Sequence, residues 1–118
     1  MASLVHVRIV ERGSDDVVVV RLTGELDISS AESARERITE AVPSSARGLV
    51  IDMSELEFID SSGVAVLFAL ARRVASRRQE LRVVAPEGKP VARVLGIVEF
   101  DRAAPVHADL DSAVAEIA

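Results

Sequence analysis

The chain has 118 residues and a formal charge of −5, from 14 Lys+Arg against 19 Asp+Glu, and 49% of it is hydrophobic, which describes one globular domain. A domain of this size buries roughly two-thirds of its unfolded surface and needs no disulfide or structural metal to hold it. It contains no cysteine, so thiol chemistry, iron-sulfur clusters and cysteine-ligated zinc are excluded, and its two histidines, His6 and His107, stand too far apart in sequence to suggest an all-histidine metal site.

The first elements in chain order are two runs, Leu4 to Val10 and Val17 to Asp27, joined by ERGSDD. The Gly, Ser and Asp content of that connection predicts an antiparallel hairpin. Ser29 and Glu32 have the spacing of a capping box, and Ala34, Ile38, Ala41 and Val42 then recur on one helical face until Pro43. The run Gly48 to Ser54 reads as a buried central strand, followed by the brief segment LEFI. A second helix begins at Asp60-Ser61-Ser62-Gly63 and continues to about Arg78. Leu81 to Ala85 is a further strand, and Pro90 opens a short helix that Gly96 is placed to stop. A last strand falls between Ile97 and His107, and Asp109 caps a terminal helix whose Leu110, Val114 and Ile117 share one side. The order is β-β-α-β-α-β-α-β-α, an α/β domain with a mixed sheet, about four helices and right-handed crossovers. No repeat or linker divides the chain, so residues 1–118 are expected to form one domain.

Several functions lack the residues they need. The 19 Val and 17 Ala supply most of the apolar content, while Phe58, Phe68 and Phe100 are the only aromatics, so a nucleic-acid partner is not expected in an acidic chain without stacking platforms. The longest unbroken apolar run, Val64 to Ala71, is eight residues where a membrane span needs about 20. The N-terminus alternates apolar and polar residues and does not read as a secretion signal, so a cytoplasmic location is expected. A serine hydrolase would require His6 or His107 to activate Ser61 or Ser62, and no nucleophile elbow is present. Gly88-Lys89 lacks the first glycine and the Ser/Thr of a phosphate loop. Asp15, Asp16, Asp52 and Asp60 invite comparison with a phospho-acceptor receiver domain, but Lys89 is the only lysine and Asp15-Asp16 precedes a strand instead of following one. Arg72, Arg73, Arg77 and Arg78 complement the dipole at the end of the second helix or meet an acidic partner surface.

The second helix carries more information. At about 100° per residue, Val64, Leu67, Phe68, Ala71, Val74 and Ala75 turn toward the sheet, and Ala65, Val66 and Ala69 fall on the other side as a small apolar patch that could dock a partner. At its head, Asp60, Ser61 and Ser62 are all capping residues, and a helix N-terminus also tolerates an added phosphate.

Thr23-Gly24-Glu25-Leu26-Asp27 closing a strand, followed 33 residues after its aspartate (60 − 27) by Asp60-Ser61-Ser62-Gly63-Val64 opening an apolar helix, resembles the bacterial anti-sigma factor antagonists, single-domain members of the STAS family. The likeness covers essentially the whole chain, although the stretch from Leu81 to Phe100 fits only in general pattern and Ala65 stands where many members carry a second glycine. The resemblance implies a partner-switching protein rather than an enzyme, with no cofactor. Its unphosphorylated form would bind an anti-sigma factor that is an ATP-dependent serine kinase and so release a sigma factor. That kinase would phosphorylate Ser61, and a metal-dependent serine phosphatase would reverse the step. Asp27, Asp60, Ser62, Gly63, Ala65 and Val66 would form the surface facing the partner. The alternatives are a STAS module of a stress-signalling or lipid-transport assembly, in which Ser61 is only a cap, and a small serine hydrolase.

Overall fold

A computed structural model of the chain describes residues 5–12 and 16–117. The strands are β1 (Val5–Arg12), β2 (Val17–Leu26), β3 (Gly48–Ile59), β4 (Glu80–Val84) and β5 (Val106–His107), and the helices α1 (Ala31–Ala41), α2 (Ser61–Ser76), α3 (Pro90–Ile97) and α4 (Leu110–Ile117). The five strands form one sheet in the order β1-β2-β3-β4-β5. β1 and β2 are antiparallel, and every later pair is parallel, as helical crossovers between successive strands require. The expected architecture is therefore present, element for element. Leu4 and Asp15, part of the expected hairpin, lie outside the described residues, and β1 extends into the expected connection as far as Arg12.

Both faces of the sheet are covered, which explains why Val17 to Val20 are all buried although they alternate in direction. Val18, Val20, Leu22, Leu49 and Ile51 belong to the large core beneath α1, α2 and α3, whereas Val17, Val19, Val50 and Val84 meet Ala113 and Ile117 of α4 on the opposite face. Phe100, in a 3-10 turn after α3, is wholly enclosed and meets Phe68 of α2 edge-on, with ring centroids 5.0 Å apart. Two of the three aromatic residues thus lock α2 to the turn after α3.

Several boundaries differ from the sequence expectation. β3 runs unbroken through LEFI to Ile59, because β2 stays paired with it across two register irregularities. The second of these lies beside Gly24, whose φ of 90° is a conformation that favours glycine. α2 stops at Ser76 and not Arg78, with Arg78 at φ 58°. Gly96 does not end α3; the helix continues through Ile97, and Glu99 in the left-handed region turns the chain. Asp109 does cap α4, accepting the Ser112 N–H at 2.8 Å.

Replacing Phe100 by alanine removes the largest enclosed side chain and should lower the unfolding free energy by about 3–5 kcal/mol, measured by urea denaturation. A loss below about 1 kcal/mol would show that the α3 turn does not depend on this ring.

Candidate functional site: the Asp60 junction

β2 and β3 are parallel neighbours, so the loops that follow them emerge side by side at the carboxyl end of the sheet. Asp60 joins these two loops. Its Oδ1 accepts the N–H groups of Ser62 and Gly63 at 2.8 and 3.1 Å, capping α2, while Oδ2 accepts the N–H of Ile28, in the loop after β2, at 3.2 Å. The backbone adds another tie, since the Asp60 N–H donates to the Leu26 carbonyl at 3.2 Å. Gly63 lets the helix start sit directly on β2: a Cβ there would lie 2.5 Å from the Leu26 carbonyl oxygen and 2.7 Å from Ile59 Cγ1. This is a packing requirement, distinct from the positive-φ requirement at Gly24.

Asp27 lies within 9% exposure and folds its own turn. Its Oδ1 accepts the Ser29 N–H at 3.0 Å and the Ser29 hydroxyl at 2.8 Å. Ser30 Oγ accepts the Asp27 N–H at 3.0 Å and donates to the Glu25 carbonyl at 2.8 Å. These bonds displace the expected capping box. α1 begins at Ala31 with Ser30 as a cap that makes no side-chain capping bond, and Glu32 pairs instead with Arg35, whose Nε lies 3.2 Å from Oε1. The bond from the Arg35 guanidinium holds the Glu32 carboxyl below the usual carboxylate range.

Ser61 is exposed at the first position of α2, and among the described residues its hydroxyl has no hydrogen bond. Beside it, Ile28, Ala31, Glu32, Arg35, Ser62, Ala65, Val66 and Ala69 line a shallow depression of about 370 Å³ between α1 and α2. Ile28 stands 81% exposed at its edge. Thus Asp27, Asp60, Ser62, Gly63 and Ala65 lie in or around one junction, with Asp60 linking the loops. Val66 requires a correction: it is not an outward residue but buried, because α2 packs against α1 as well as against the sheet. The same second contact buries Leu70 and makes the apolar stripe wider than a one-sided reading allows, while Ala75, assigned to the sheet side, is exposed. Ile28 was not singled out by periodicity, since it lies in a turn. Its signal was an isolated branched aliphatic residue between Asp27 and Ser29.

The other candidates are placed elsewhere. His6 and His107 lie on opposite edge strands, four strand spacings or about 19 Å apart. Asp52 is buried against Arg21, with Nε 3.2 Å from Oδ2, and accepts the Ser54 hydroxyl at 2.7 Å. It lies eight residues, or about 26 Å of extended strand, from Asp60 and cannot share a phospho-acceptor cluster with it. Asp15 lies outside the described residues. Lys89 Nζ donates to the Ser54 carbonyl at 3.1 Å. Arg72 and Arg73 lie toward the end of the 16-residue α2, about 17–18 Å from its start, Arg77 and Arg78 follow it, and none contributes to the junction.

Two substitutions separate architecture from the free hydroxyl. Asp60→Ala should cost about 1–2 kcal/mol in urea denaturation, as loss of a helix cap does. Ser61→Ala should change stability by less than about 0.5 kcal/mol, and a larger loss would contradict the unbonded state of its hydroxyl.

Comparison with known proteins places the chain in a family and a fold. The STAS domain family model matches residues 8–113. RsfB of Mycobacterium tuberculosis, named as an anti-sigma-F factor antagonist, is 30% identical over 98 residues, covering 83% of this chain and 79% of RsfB. An anti-sigma factor antagonist from Mycobacterium paratuberculosis superposes with TM-score 0.84 at 27% identity, covering 97% of this chain and 94% of that one. The Bacillus protein SpoIIAA, an anti-sigma factor antagonist, is similar in its unphosphorylated form (TM-score 0.68, 25% identity, 97% of both chains) and in its phosphorylated form (TM-score 0.65, 24% identity, 98% of this chain and 100% of that one). With a family match over most of its length and the same α/β architecture, this chain belongs to the STAS domain family.

Proposed function

We propose that this chain, with residues 1–118 as one STAS domain, is a cytoplasmic anti-sigma factor antagonist that works by binding and release, not by catalysis. In its unphosphorylated form it binds an anti-sigma factor that is a serine kinase, and the sigma factor is freed. The kinase transfers the γ-phosphoryl group of ATP to Ser61 Oγ, the hydroxyl proton is lost and ADP leaves; a serine phosphatase later hydrolyses the ester. The observation that carries this reading is the exposed Ser61 hydroxyl beside the α1–α2 depression.

The junction supplies a physical reason for release. A helix N-terminus ordinarily welcomes a phosphate. Here the Ser62 and Gly63 amides are already engaged by Asp60. A phosphate on Ser61 therefore adds about −1.5 to −2 charges beside a carboxylate, in a chain whose formal charge is already −5. A partner seated over Ala65 and Ile28 would have to desolvate that group against a surface shaped for a hydroxyl. A penalty of about 3 kcal/mol, modest for an unpaired buried charge, weakens binding about 100-fold.

Incubation with the cognate kinase and ATP, followed by peptide mass mapping, should place the phosphate on Ser61. Modification confined to other residues would refute the assignment. In titrations with the kinase, Ser61→Ala should bind as tightly as the unmodified chain and Ser61→Asp should bind at least about tenfold more weakly, a difference of about 1.4 kcal/mol. Equal affinities would reject the charge mechanism.

A further inference from the structure

The helices that follow β4 and β5 leave the sheet in opposite directions. α3 packs on the large-core face with α1 and α2, and α4 on the other. In open α/β sheets, a crevice outside the carboxyl ends of two such strands is where ligands are bound. Here a half-open cavity of about 480 Å³ occupies that place, within the size range of sites that enclose small ligands or side chains. Its apolar floor includes Ala92, Leu95 and Val106, and its polar walls are Glu87, Glu99, Asp101 and His107, with no lysine or arginine. Just beyond it, Ile97 is 75% and Val98 38% exposed. Glu99 occupies a left-handed position after α3, φ 54°, where glycine is the usual residue. Its ion pair to Arg102, at 3.3 Å, is solvent-exposed on both sides and readily exchanged.

We propose that this crevice docks a basic segment of a partner protein, with an apolar side chain entering over Leu95 and neighbouring arginine or lysine groups meeting Glu87, Glu99 and Asp101. The sign of the lining selects the partner. An acidic segment would place like charges together, and an uncharged one would gain nothing from the carboxylates. The surface is separate from the Asp60 junction, so it does not rest on the phosphorylation reading.

The test is a titration of the ¹⁵N-labelled full chain at low ionic strength with a capped peptide of alternating arginine and leucine. The charge-inverted glutamate and leucine peptide and spermidine serve as comparisons. The basic peptide should shift the amide signals of Glu87, Gly96 and Glu99 in a saturable manner. Gly96→Leu blocks the crevice without disturbing the backbone, because a Cβ at Gly96 meets nothing within 4 Å and the substitution favours the helix. That variant should keep its melting temperature and bind the peptide at least about tenfold more weakly, as should Glu87→Gln combined with Glu99→Gln. Unchanged affinity in Gly96→Leu, an equal response to the acidic peptide, or an equal response to spermidine, which has no apolar side chain, would overturn the proposal.

Discussion

The carboxylate of Asp60 accepts three backbone N–H groups, two from the first turn of α2 and one from the loop after β2, and the arrangement of the candidate site depends on those bonds. Two of them satisfy the first turn of α2, whose amides have no partner within the helix. The third fixes Ile28, 32 residues away in sequence. The carboxyl ends of β2 and β3 are thereby joined through a charged acceptor, and hydrogen bonds to a charged group are stronger than those between neutral groups. Gly63 makes the arrangement possible from below, since any side chain there would push the start of α2 off the Leu26 carbonyl.

With Asp60 serving as the cap, the neighbouring serine has no structural task. The side chain of Asp27 is likewise absorbed in its own turn with Ser29 and Ser30, so the two aspartates build the surface and leave Ser61 exposed on it. Small side chains complete it: Ala65 and Ala69 keep the α2 side of the depression shallow, and Ile28 projects at its rim. Such a surface has little polar area to desolvate when covered, yet it is sensitive to one added phosphate. The electrostatic background is acidic, and the first-turn amides that could have softened the added charge are occupied.

The element order was legible because alternation, helical periodicity and punctuation by Pro, Gly and Asp agree over most of the chain. Asp60 and Asp109 were readable as caps because each precedes an apolar periodic run. Ser29 was misleading for the same reason: its spacing to Glu32 fits a capping box, but Asp27 and Arg35 compete for those two side chains and hold them. Val66 failed through a different cause. A helical wheel assigns one buried side, whereas α2 meets both the sheet and α1, and the second contact depends on a helix about 30 residues earlier. Ile28 and the crevice beneath α3 were not legible, because each is formed by chain segments that only the sheet order brings together. The link from Asp60 to Ile28 is of the same kind, since local pattern shows a cap but not the loop that shares it.

Amide hydrogen exchange in Asp60→Ala tests that coupling most directly. If one carboxylate holds both loops, protection at Ile28, Ser62 and Gly63 should fall together, by about tenfold or more, as expected for the loss of roughly 1.4 kcal/mol of local stability. Leu49 and Ile51, in the middle of the sheet, should lose no more than the global change in stability. Loss at Ser62 and Gly63 with Ile28 unchanged would contradict the account, because the loop after β2 would then be held without Asp60.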